Sequence, residues 1–188
     1  MDKPLWRAPV VEGYEMSPTG LLIPHNKMEG AGRYFGRIIR NGVIIDEFDI
    51  KNLVVNQGLN YALGAALGGS SQLTSWFLGL FSTNYTVLAA DTASTIAANS
   101  TEVTAYTAGA RVAWTPGAAS GQSISNSGST ATFTFNSSVT VYGAFLISNN
   151  TINGTSGTLF SGAQFGSSKS VVNGDQLVLT YTYTLASV

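Results

Sequence analysis

Residues able to do chemistry are few in this chain, and they stand far apart. The sole histidine, His25, lies between Pro24 and Asn26, and the nearest carboxylate in sequence is Glu29. A metal centre needs three or four convergent ligands, more than one imidazole and one carboxylate supply. A Ser–His–Asp arrangement is formally available, but no Gly-x-Ser-x-Gly turn is present to project the serine. There is no cysteine, and so no thiolate ligand, disulfide or Cys nucleophile. Beyond Lys51 the only carboxylates are Asp91, Glu102 and Asp175. Glycoside hydrolysis needs two carboxylates across one cleft. Asp91 is placed to cap a helix, Asp175 follows Asn173-Gly174 as a turn residue, and Glu102 opens a strand-like segment where it can pair with Arg111. No glycine-rich phosphate cradle follows a strand. Arg33, Arg37 and Arg40 face an acidic run of Asp46, Glu47 and Asp49, which suits internal pairing better than a nucleic-acid platform. The expectation is a chain with no catalytic residue, no cofactor and no metal.

What remains for function is surface. Charged residues make up 10% of the 188, far below the ~25% usual for soluble domains, while hydrophobic residues make up 44%. A net charge of −1 provides no field to attract nucleic acid or anionic lipid. A surface of hydroxyls and amides desolvates more readily than a charged one, and charge depletion marks interface cores. A multi-subunit assembly, with homo-oligomer contacts, is therefore expected over a free monomer. No run approaches the ~20 apolar residues of a membrane span, and residues 1–16 lack a signal-type apolar run, so synthesis in a cytoplasm is expected.

Three regions must position this surface. Residues 1–32 hold four of the five prolines, together with Leu5, Trp6, Val10, Val11, Tyr14, Leu21, Leu22 and Ile23. Proline forbids a long helix or central strand, and the apolar content is high for a linker. An extended arm is expected, lying on its own domain or on a neighbouring subunit through those eight residues. Residues 33–50 read as a hairpin about Asn41-Gly42, because a type I′ turn needs φ > 0 at both central positions. Up to Lys51 the chain holds 7 of its 9 Lys/Arg and 7 of its 10 Asp/Glu, so the composition changes there.

Residues 56–67 read as a helix capped by Asn56 and ended by Gly68-Gly69. Leu59, Leu63 and Leu67 recur at i, i+4 and i+8, which predicts a stripe that pins the helix to a sheet. A β-rich body follows over 73–187. Its strand signals are Ser75–Phe81, Tyr85–Leu88, Arg111–Trp114, Ser123–Ser125, Thr130–Phe135, Val139–Ile147, Leu159-Phe160, Val171-Val172 and Gln176–Leu185, and Ala90–Asn99 reads as a short helix. The tracts 117–130 and 153–168 read as loops. The aromatics in these strands, Tyr181 and Tyr183 included, read as core. The predicted fold is mainly β: a β-sandwich or jelly-roll-like body at 33–188 with one short packed helix and an extended N-terminal arm.

The stretch Lys51–Leu67, KNLVVNQGLNYALGAAL, resembles a family of tailed-bacteriophage virion structural proteins. The likeness continues through Trp76–Phe81, Thr95–Glu102, Ala131–Phe135, Val141–Ile147 and a closing Val171–Thr184 hairpin, and covers roughly residues 33–187. It implies a non-enzymatic particle component, such as a capsid decoration or cement protein. Its partners would be the major capsid protein or other virion subunits, its location the virion, and nucleic acid and membrane would not be partners. A tail, collar or fibre-anchoring subunit is the alternative. A host-glycan-binding or glycan-cleaving module is a third expectation, needing an exposed aromatic platform or a carboxylate pair.

Overall fold

The computed structural model describes residues 14–24 and 28–187. Two short strands, β1 (Tyr14–Met16) and β2 (Leu22–Pro24), pair with each other as a separate antiparallel hairpin. The body is a β-sandwich. One sheet has the order β5-β11-β10-β6-β7, from β5 (Leu53–Val54), β6 (Trp76–Phe81), β7 (Val112–Trp114), β10 (Val139–Ile147) and β11 (Leu159–Val171). The other has the order β4-β3-β12-β8, from β3 (Met28–Arg40), β4 (Val43–Lys51), β8 (Ser123–Ser125) and β12 (Gln176–Ser187), with β9 (Ala131–Thr134) also on β12. Two helices accompany them, α1 (Asn56–Ala66) and α2 (Ala93–Asn99).

The β3–β4 hairpin forms about the expected turn, with Asn41 at φ 51° and Gly42 at φ 79°. Two of the three expected charge pairs form across it: Arg33 donates to Asp49 at 2.9 and 2.6 Å, and Arg37 to Glu47 at 2.6 Å. The third does not. Arg40 instead donates twice to Asp175, and Asp46 receives Lys169 at 2.9 Å. The remote pairs tie the hairpin to the β11–β12 connection and to β11, because a bulge at Ile45 shifts the register beyond Ile38.

Between the sheets, Leu80, Leu146, Phe133, Leu177, Leu179 and Tyr181 are fully or almost fully buried. A second cluster lies on the outer face of β6 and β10, where Phe81, Phe145 and Ile147 pack with Ile96 of α2. Alternation therefore sends Ala144 and Leu146 inward and Phe145 and Ile147 outward, with both sets buried. This accounts for the unbroken apolar runs in β6 and β10. The two strands also exchange ring-over-glycine pairs: Gly79 stands opposite Phe145 and Gly143 opposite Phe81, each ring filling the space a Cβ would take.

The structure corrects several expectations. Residues 159–171 form one thirteen-residue strand rather than two short ones around a loop. Gly166, Ser167 and Ser168 sit in a bulge, where Gly143 pairs Gln164 but Val141 pairs Lys169. Val171–Thr184 is not a hairpin, since β11 and β12 lie in different sheets and residues 172–175 cross between them. Tyr85–Leu88 forms no strand but a loop packing Val87 into the outer cluster. Asp91 is not the cap of α2. Thr92 is, in a reciprocal capping box with Thr95. Asp91 lies buried just before it, accepting from Tyr85 Oη, Leu88 N–H and Thr95 Oγ1.

The largest correction concerns α1. Its Asn56 side chain makes no cap; Val55 holds the cap position and the Asn56 N–H donates to Ala89 O. The leucine stripe does not face the sheet: Leu59, Leu63 and Leu67 are 39%, 51% and 84% exposed. The helix packs instead through Gly58, with Tyr61 and Ala62 against the core. A Cβ on Gly58 would stand 2.2 Å from the Phe160 carbonyl oxygen. The sheet therefore meets the face that permits closest approach, and the bulky face is left to solvent.

Candidate interaction surfaces

β3 and β12 run the length of the sandwich, paired over twelve residues from Met28↔Ser187 to Ile39↔Gln176. At ~3.3 Å per residue they separate two poles by roughly 35–40 Å. The hairpin turn Asn41-Gly42 marks one. The other holds α1, because Gly58 abuts Phe160, the Phe160 ring meets Tyr183 at 5.0 Å, and Tyr183 lies over Gly30 near the start of β3.

Each pole exposes aliphatic side chains. At the hairpin pole Val43, Ile44 and Ile45 are 63%, 49% and 48% exposed, on the edge strand β4 where the bulge breaks the alternation. At the helix pole the α1 leucines are joined by Leu53 and Leu73. Val43–Ile45 lay in the predicted hairpin, but nothing in their spacing marked them as exposed.

The helix pole also holds two hollows. A cavity of about 180 Å³ is walled by Tyr61, Trp76, Trp114, Phe160 and Tyr183. Its aromatic walls lock one another edge-on, Tyr61 to Trp76 at 5.2 Å and Trp76 to Phe160 at 5.5 Å. Trp114 Nε1–H is spent on Tyr181 O at 3.1 Å, and Tyr61 Oη accepts the Leu73 N–H at 2.9 Å. A groove of about 510 Å³ along Met28, Gln122, Ile124, Tyr183 and Leu185 adjoins it. Ile124 and Tyr183 line both hollows. Tyr181 is core, as expected, whereas Tyr183 is only half-buried and forms the shared wall. Burial raises the pKa of both phenols, so each is neutral at any pH near 7.

The arm residues singled out from sequence fall differently. Leu5, Trp6, Val10 and Val11 lie outside the described residues. Tyr14 belongs to β1 and Leu22 and Ile23 to β2, in the register Tyr14↔Pro24, Glu15↔Ile23, Met16↔Leu22. Leu21 is exposed in the connecting turn, where Ser17 Oγ accepts its N–H at 3.0 Å. The arm region is thus partly a hairpin of its own, and β3 begins at Met28, inside the stretch expected to be arm.

Each carboxylate of the body is held by donors. Glu102 receives Arg111 Nε and Nη2 at 2.7 and 2.8 Å and the Asn153 N–H at 2.6 Å. Arg111 also donates to the Asn149 and Gly154 carbonyls, so this buried pair ties the 149–154 loop to the sheet. Asp175 receives Arg40 and the Val172 N–H. The Arg40 hydrogen bond, aided by the Val172 N–H, holds its carboxyl below the usual range against the effect of burial. Among the described residues no three His, Cys, Asp or Glu side chains are grouped to hold a metal ion, and no helix is long and apolar enough to cross a membrane. No family model matches the sequence, and no curated protein matches it.

Proposed function

We propose that the chain is a non-enzymatic structural component of a tailed-phage particle, a capsid decoration or cement protein that stabilises the shell through contacts between subunits. The observation that carries this reading is the grouping of exposed aliphatic side chains at both poles of a tightly packed sandwich: Val43, Ile44 and Ile45 at one, Leu59, Leu63 and Leu67 at the other. Monomers normally scatter such residues, and grouped ones mark contact sites. A body with two contact poles can bridge two neighbours. Each half-exposed leucine brought to full burial contributes on the order of 1 kcal/mol. A shell multiplies such modest contacts through simultaneous engagement. The sparse charge of the body lowers the cost of desolvating these faces. The resemblance of residues 33–187 to virion structural proteins supports the same assignment, with the major capsid protein or other virion subunits as partners and the virion as location.

Copy number tests it. Quantitative mass spectrometry of purified particles should find this chain in hundreds of copies, set by shell symmetry. A count of about 3–12 would move it to the tail or collar, where rotational symmetry sets the number. Its absence from particles, or turnover of a host polysaccharide by the purified chain, would overturn the structural class.

A further inference from the structure

The face of α1 that meets water is its apolar one. Asn56, Leu59, Asn60, Leu63, Ala66 and the C-cap Leu67 are exposed, and their spacing of three and four residues gathers them into one stripe. A surface helix ordinarily turns charged side chains to water. This one has none to turn, because no charged residue occurs between Lys51 and Asp91. Its ends are bare as well: the first turn carries no acid, the last turn no base, and the N-cap makes no side-chain hydrogen bond.

These features fit one occupant, a second copy of the same helix. Leu59 and Leu67 stand equally far on either side of Leu63, about 6 Å along the axis. A two-fold axis at Leu63 therefore sets Leu63 on Leu63 and Leu59 on Leu67, ridge into groove, so the stripe is its own complement. A charged partner face would be desolvated here with nothing to pair it, whereas a copy brings no charge to bury. Antiparallel packing also lays the partly positive N-terminus of one helix beside the partly negative C-terminus of the other. Each end then receives the compensation that its own side chains withhold. Leu53 and Leu73, exposed at the same pole, widen the contact. A helix pair of this length with those flanks approaches the roughly 1,000 Å² that marks specific interfaces, which suits a dimer that forms and dissociates rather than a permanent one.

We propose that two copies of this chain pair through α1, antiparallel about a two-fold axis at Leu63. The proposal rests on the helix pole being a contact surface, as argued above, and names its partner.

The absence of native cysteine makes the test direct, since each introduced thiol is the only one in its chain. At the usual interhelical spacing the Cα atoms of the two Leu63 residues stand about 4–6 Å apart on the axis, within reach of a disulfide. Under mild oxidation, full-length Leu63→Cys should form linked dimers at least about tenfold faster than full-length Leu88→Cys. Leu88 is a matched control, 55% exposed against 51% for Leu63 and outside α1. In an equimolar mixture, Leu59→Cys and Leu67→Cys chains should link to each other in preference to themselves. Adding Leu59→Lys and Leu67→Lys to the Leu63→Cys chain sets lysine against lysine across the axis. That chain should fall to the rate of Leu88→Cys with its far-ultraviolet circular dichroism unchanged. Equal rates for Leu63→Cys and Leu88→Cys would overturn the proposal, as would an excess indifferent to the lysines. Preferred 59–59 and 67–67 links would also overturn it, by making the pairing parallel. If Leu63→Cys shows no excess while the chain is abundant on particles, the two-fold fails and the particle reading stands, with another subunit as the partner of this pole. An excess in a chain absent from particles would support the two-fold and overturn the particle reading.

Discussion

At the scale of single residues, the fold depends on polar side chains that complete a backbone or replace a strand. Asn126 is fully buried where β8 and β9 meet β12 end to end. Its Oδ1 accepts the Tyr181 N–H at 2.7 Å and its Nδ2 donates to Leu179 O at 3.2 Å, so it serves the two backbone groups that neither short strand reaches. Asn126→Leu strands both groups without water. A buried unsatisfied group costs about 1–3 kcal/mol, so the denaturant midpoint should fall by an amount equivalent to about 2–4 kcal/mol; a drop below 0.5 kcal/mol, the range of ordinary surface changes, would show the gap to be hydrated. Asp175 makes a different prediction. Its pKa is lowered in the folded chain, chiefly by Arg40, so the ionised form is favoured on folding. That stabilisation is complete above the unfolded value of about 3.9 and is lost as pH falls through the lower folded value. Midpoints measured from pH 7 down to pH 2 should therefore decline below about pH 4. Asp175→Asn should be less stable at pH 7 and should lose part of that acid decline. An unaltered acid limb would mean that other carboxylates produce it.

At the scale of elements, α1 shows how a correct periodicity can point the wrong way. The i, i+4, i+8 leucines identify the helix, and its bounds agree with the expected 56–67 to within a residue. Periodicity says that one face is apolar; which face meets the sheet depends on how near the backbone can come. Gly58 decides this, since only hydrogen fits against the Phe160 carbonyl. Gly58→Ala should therefore destabilise the chain by about 1–3 kcal/mol as an overpacking change, although alanine is the better helix former by about 1 kcal/mol. A raised melting temperature would show that the helix shifts freely on β11. The same distinction separates the strands that the sequence makes legible from those it hides. Val139–Ile147 and Gln176–Leu185 are apolar or strictly alternating, and they form β10 and most of β12. Residues 161–170, SGAQFGSSKS, lack both marks, yet they continue β11 because β10 supplies pairing and the bulge absorbs the small residues. Pairing partners far away in sequence override weak local preference. The Arg111–Glu102 pair was legible, for an isolated cation and anion in an uncharged body have few other partners, and Arg40–Asp175 was not, because the hairpin offered Arg40 nearer acids.

At the scale of the whole molecule, the sandwich itself was legible from strand spacing and turn residues, but the position of its exposed aliphatic faces was not. Exposure at the poles arises from the bulge at Ile45 and from the close seat of Gly58, neither of which leaves a local signature. The two poles differ in chemical character: one is an aliphatic strand edge, the other a leucine face beside an aromatic hollow. They should therefore take different partners, and each can be removed separately. In a Leu59→Lys, Leu63→Lys, Leu67→Lys chain the helix keeps good helix formers and buries no new charge, because those side chains already face water. Its melting temperature should stay within about 2 °C of the parent, the shift that ~0.5 kcal/mol produces in a domain of this size. Val43→Lys with Ile44→Lys should be equally mild, since lysine on an edge strand is a common device against unwanted pairing. If the poles bind neighbours, each variant should lose association with shells or with other copies in sedimentation, and the two losses should be separable, with one contact abolished and the other kept. Full retention by both variants would remove the poles as contact sites. A loss accompanied by a large fall in melting temperature would instead place the leucines in the stability of the fold, against their exposure.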